Sequence, residues 1–189
     1  MSNVANITTS LVNQIYNNGN LDKATLSSLR SAPSFLSERA RRIWPMILPK
    51  LDEKDLSRNG VPTYAENAIF VALRSYAIMQ QANECSFANG DQELFEVLAE
   101  LRQISKISEG VNRRVKNLFL STSFTSLQTG LVQLVKLLKS NLPDKQVNFA
   151  KLAKDLFFYQ TSNENAKQVF LKWGQQYYRT IAKKEEGEN

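Results

Sequence analysis

"TYAENAIFVALRSYAIMQQ", residues 63–81, is the stretch on which the fold turns. Thr63 and Glu66 have the T-x-x-E spacing of a capping box, in which each side chain satisfies a backbone N–H that the first helical turn leaves unpaired. The residues that follow are apolar on nearly every side of a 3.6-residue repeat, and Arg74 is their one charge. A helix without a polar face needs other elements around it, so the spacing predicts the central helix of a bundle.

Working outward, the chain reads as helix after helix. Val4, Ile7, Leu11, Val12, Ile15 and Tyr16 predict a helix over about 4–17, and a second runs from about Leu21 to Arg30. A third begins near Ser34, and Pro45 bends or ends it. Residues 92–104 form a helix with an acidic outer face. Four more follow at about 109–121, 124–142, 148–160 and 163–182, separated by "STS", "PDKQ" and "QTSN". Short loops make antiparallel neighbours. The expected fold is all-α with two helical bundles, the C-terminal one a four-helix bundle. The expected division is 1–105, 106–182 and a charged tail, 183–189.

Composition removes whole classes of chemistry. The 189 residues include no histidine, which excludes Ser-His-Asp triads, His-based acid–base work and most zinc sites. The single cysteine, Cys85, can form no intrachain disulfide; it reads as a small hydrophobe or an inert loop thiol. No phosphate-cradling glycine motif and no clustered carboxylates stand out, and Asp155 reads as a surface charge paired with Lys151. The first thirty residues lack an apolar core segment, which speaks against a signal peptide, and no apolar run has the roughly 18 residues of a membrane span. A cytoplasmic, non-enzymatic protein without cofactor or metal is the expectation.

Charge is what remains. Residues 1–105 hold 10 Lys/Arg against 11 Asp/Glu, whereas residues 106–184 hold 14 against 4. A positive field confined to one half points to a polyanionic partner there and a different role for the other half. The segment "FLKWGQQYYRTIAKK", residues 170–184, mixes aromatics with cations. Val169, Phe170, Trp173, Tyr177 and Ile181 share one helical face and read as core; Lys172, Arg179 and Lys183 lie off it. Gly174, unfavourable inside a helix, suggests a neighbouring helix pressing close. Arg113 and Lys116 with Arg114 beside them, Lys136 and Lys139, and Lys151 and Lys154 put a basic pair on each of three helices. If those faces align, they line a cationic groove suited to a sugar–phosphate backbone. A solvated surface that binds nothing, a docking face for an acidic protein and, more weakly, an anionic membrane are the alternatives.

The order of these signals resembles the CasB family, the small subunit of the type I-E Cascade complex of CRISPR immunity. "NRRVKNLF", "LVQLVKLL", "SNLPDKQVNFAKLAKDLFFY" and "FLKWGQQYYR" are similar to that family's helix series, as are "LSSLRSA", "IWPMIL" and "NAIFVALRSYAIM" in the first half. The resemblance implies an all-helical, non-enzymatic subunit of two bundles. It would pair with a second copy along the guide RNA and contact the backbone and large subunits. It would also help hold target DNA open through basic residues. By position the resemblance carries over Arg30, Arg113, Arg114, Lys136 and Lys154. Lys116, Lys139 and Lys151 rest on the helical-face argument alone.

Overall fold

The computed structural model describes residues 3–83 and 87–179. Ten helices make up the fold of these residues: α1 (Val4–Tyr16), α2 (Lys23–Ser31), α3 (Glu38–Arg41), α4 (Trp44–Ile47), α5 (Tyr64–Met79), α6 (Leu94–Leu101), α7 (Ser108–Phe119), α8 (Phe124–Asn141), α9 (Phe149–Thr161) and α10 (Asn163–Arg179). The architecture is all-α. A β-bridge, Asn89 to Val147, and a hydrogen bond from the Asn148 N–H to the Gln92 carbonyl (2.7 Å) tie the loop before α6 to the turn before α9. Among the described residues no helix is long and apolar enough to cross a membrane. Cys85, Ile181, Lys183 and the tail lie outside the described residues.

Helix α5 is the central element, as its sequence requires. Thr63 accepts from the Glu66 N–H and Glu66 accepts from the Thr63 N–H (2.7 Å), closing the capping box. Thirteen of its sixteen residues are buried. α1, α2, α8 and α9 all pack against it. Helices from both sides of residue 105 thus share one core, with α9 lying against α1 and α5 as well as α10.

The segment between α2 and α5 departs from expectation. Residues 33–37 are turns, and the helix starts at Glu38 rather than Ser34. Pro45 does not end a helix; it sits in the first turn of α4, where its missing N–H leaves no gap in the ladder. The turn is anchored instead through Pro33, whose carbonyl accepts from Arg74 of α5 (3.2 Å) and Gln128 of α8 (2.7 Å).

Gly174 also corrects the sequence reading. A Cβ there would meet its nearest neighbour, Phe119, at 4.0 Å, ordinary contact. The close approach is at Gly130 of α8, where a Cβ would lie 2.7 Å from Leu118 of α7.

Asp155 is not a surface charge paired with Lys151. It is buried, and it accepts from Trp173 Nε1 (2.8 Å) and from Lys172 Nζ through both carboxylate oxygens (3.0 and 2.9 Å). Lys172 Nζ also lies 2.6 Å from Glu93, at the N-cap of α6, and Gln176 donates to the same carboxylate. One ammonium therefore joins α6, α9 and α10. Burial pushes the Asp155 carboxyl up, because its deeper site costs the ion more than Lys172 and Trp173 return. Burial acts in the same sense on Glu93, but the hydrogen bonds from Lys172 and Gln176, with the charges of Lys172 and Lys151, outweigh it and hold that carboxyl low. Burial opposes the Lys172 charge, and its two carboxylate partners overcome this and raise it.

Two stability outcomes follow from this packing. Gly174→Ala should raise stability by about 0.5–1 kcal/mol, since helix propensity improves and nothing must move; urea melts that show a loss would mean α10 is closed in more tightly. Lys172→Met leaves two carboxylates facing each other. Because the lysine is partly solvated, the cost is discounted to about 1–3 kcal/mol, above that of Asp155→Asn. The raised lysine gives stability below its unfolded pKa that is lost as pH rises through the folded value, so wild type should lose melting temperature in strong alkali and Lys172→Met should lose less.

Candidate nucleic-acid interface

Helix α7 is the centre of the basic surface. Val111, Val115 and Leu118 face the core, and helical spacing then assigns each cation a direction. Arg113 stands on the outer crest, directly away from the core. Arg114 is on the flank towards α8, with its Nη1 donating to the Gly110 carbonyl (3.1 Å). Lys116 falls on the opposite flank, one turn after Asn112. That flank borders α10 and α6: Asn112 accepts from the Tyr177 hydroxyl (2.7 Å), and Phe119 contacts the rings of Phe95 and Phe170. Burial pushes the Tyr177 phenol up to about 12, so it remains a donor to Asn112 at any physiological pH.

On its other side α7 packs along α8, and Gly130 lets the two helices come close. Outside that contact runs a groove lined by Arg114 and Asn117 from α7 and by Thr125, Ser126, Thr129 and Gln133 from α8. Its polar groups are hydroxyls, amides and one guanidinium, and no carboxylate lines it. These are the donor types that hold phosphate oxygens. Lys136 extends the row on the outer crest of α8, one turn beyond Gln133. Lys139 is on the far flank, half-buried, donating to the Pro143 carbonyl (3.3 Å); burial lowers its pKa.

The expected alignment of three basic faces is divided by the packing. Helices α7 and α8 adjoin, whereas α9 lies against α1, α5 and α10. Lys151 there is exposed but lies 3.4 Å from Glu93, so part of its charge is answered within the chain. Lys154 is exposed one turn further along α9. Arg30, at the end of α2, is half-buried and donates to the Ala77 carbonyl of α5 (3.4 Å); burial lowers its pKa. Its guanidinium belongs at least partly to the fold.

Two features escaped the sequence reading. Ser27, Ser28 and Ser31 of α2 line a polar groove with Arg39 and Arg42, and with Glu38 at its edge. The signal was three arginines within residues 39–42, diluted by the balanced charge of the first half. The second is Tyr178, exposed beside the buried Tyr177. Among the described residues no group of His, Cys, Asp or Glu side chains gathers as a metal site.

Arg30 and Arg113 should therefore separate by stability. Arg30→Ala removes a hydrogen bond and buried stem, at a cost of about 1 kcal/mol. Arg113→Ala should stay within about 0.5 kcal/mol of wild type. Chemical denaturation checks both, and equal destabilisation would mean that Arg113 is held in the fold.

Against known proteins, the family profile of CRISPR-associated protein Cse2 matches residues 25–178 of this chain. No curated protein matches it. Among solved structures, CasB from Thermobifida fusca superposes with a TM-score of 0.69 at 25% identity, over 93% of this chain and 97% of that one. CasB from M. ruber gives 0.68 at 19% identity, covering 97% and 98%. A Cse2-family CRISPR-associated protein from Thermus thermophilus gives 0.65 at 19% identity, covering 94% and 99%.

Proposed function

The chain belongs to the CRISPR-associated Cse2 family, and on that premise we propose that it is a non-catalytic small subunit of a type I-E Cascade complex that holds nucleic-acid backbone and steadies opened target DNA. The observation that carries this is the exposed cations of α7, Arg113 on the crest and Arg114 on the flank beside a carboxylate-free groove of hydroxyl and amide donors shared with α8. Such a surface meets phosphate without reading bases. It suits a subunit that must accept any target sequence. Exchanging a DNA duplex for an RNA–DNA heteroduplex is nearly balanced in free energy, so a few backbone contacts tip it.

In this reading the basic half, 106–182, faces guide RNA or target DNA. The charge-balanced half, 1–105, contacts the backbone and large subunits and a second copy of the chain. The protein works in the cytoplasm, where the complex meets its target. Lys136 continues the α7–α8 path. Lys154 and Arg30 lie off it and serve, if they touch nucleic acid, a separate stretch.

The test is the salt dependence of binding. Removing one cation that touches a phosphate should reduce the slope of log K against log salt by about 0.7 on single strands and about 0.9 on duplex. Arg113→Ala, Arg114→Ala and Lys136→Ala should each do so, by similar amounts on unrelated sequences. If all three leave affinity and slope unchanged, the positive face docks an acidic protein instead, and pull-down with the other Cascade subunits would then depend on these residues.

A further inference from the structure

Tyr178 ends the aromatic run of α10, and the residue is 46% exposed although Tyr177 beside it is fully buried. It is nevertheless held. The Tyr177 ring lies 4.9 Å away, nearly perpendicular at 82°. The Arg102 guanidinium sits 4.8 Å from the Tyr177 centroid and 5.5 Å from that of Tyr178, so one cation is shared between two rings. Tyr177 is in turn fixed through its hydroxyl to Asn112 of α7. The ring is thus backed by a cation and a buried aromatic, and about half of the residue is open to water.

The setting is basic. Arg179 follows on α10; since Phe170 meets Phe119 and Tyr177 meets Asn112, α10 runs antiparallel to α7, so Glu109 lies one turn from Asn112 on the Tyr178 side and Lys116 one turn on the other. Arg113 rises on the crest between this flank and the α8 groove. Arg102 and Arg179 thus flank the ring, with Glu109 against them. A pre-oriented aromatic set among cations fits an unpaired base whose neighbouring phosphates reach those cations: stacking is tolerant of base identity, and a nearby arginine adds to it.

We propose that Tyr178 is a stacking platform for a base of single-stranded nucleic acid, positioned by Arg102 and Tyr177 at the α10 edge of the α7 crest. This rests on the backbone-binding reading and adds to it a contact with a base. The bound strand would run from the α8 groove over α7 to Tyr178. It distinguishes single strand from duplex, because a base inside a duplex has both faces stacked on its neighbours.

The test uses the full-length protein, a single-stranded DNA of about 20 nucleotides and the same strand with abasic sites. Wild type should bind the base-bearing strand about tenfold more tightly. Tyr178→Ala should weaken that binding about tenfold and erase the difference between strands, leaving the salt slope unchanged. Tyr178→Phe, which keeps the ring, should behave as wild type, and thermal melting confirms that both variants fold. The proposal is overturned if Tyr178→Ala keeps the strand difference, or if Tyr178→Phe is as weak as Tyr178→Ala. Equal, salt-dependent binding of both strands by wild type would overturn stacking alone. Absence of salt-dependent binding to either strand would overturn the backbone reading with it.

Discussion

Lys172 is the point at which three helices beside the candidate surface are tied together. Its ammonium lies between Asp155 of α9 and Glu93 at the start of α6. With Trp173 on the same carboxylate, it gives α10 a defined height and rotation against both helices. α10 in turn presents Tyr177 to Asn112, and that bond helps orient α7. The charge cluster thus braces one flank of α7, while α8 holds the other. A cluster of this kind adds little net stability compared with apolar packing, since desolvation offsets attraction. Its use is directional: a carboxylate accepting from an indole and an ammonium tolerates fewer arrangements than a leucine contact.

Much of the fold was legible because its signals are local. The capping box at Thr63 and Glu66 and the apolar spacing of α1 and α5 each act within a few residues. The partners of each helix were not legible. A buried stripe says that a helix is covered, not by which neighbour, and α9 meets α1 and α5 across the chain. The same holds for Asp155. Spacing offered Lys151 one turn away, while the fold brought Lys172 from the next helix. Gly174 misled because a helical glycine signals either close approach or indifference, and between Gly130 and Gly174 it is Gly130 that carries the first.

The candidate site divides along the same line. Arg113, Arg114 and Lys116 were identifiable because helical spacing alone puts them outside the apolar stripe of α7. Which flank each occupies depends on α8 and α10, and so does the conversion of a set of cations into a groove and a crest. The arginines of residues 39–42 were visible but diluted by acidic residues elsewhere in the first half that are not neighbours of the groove. Tyr178 was masked by an aromatic run whose other members are core.

The central claim is that α7 faces phosphate. The most direct measurement is a structure of the assembled complex, with guide RNA and an opened target, in which this chain is resolved. The account predicts backbone phosphates within hydrogen-bond reach of Arg113 and Arg114, following the groove between α7 and α8. A complex in which that crest is buried against another protein subunit, with nucleic acid passing elsewhere, would contradict it.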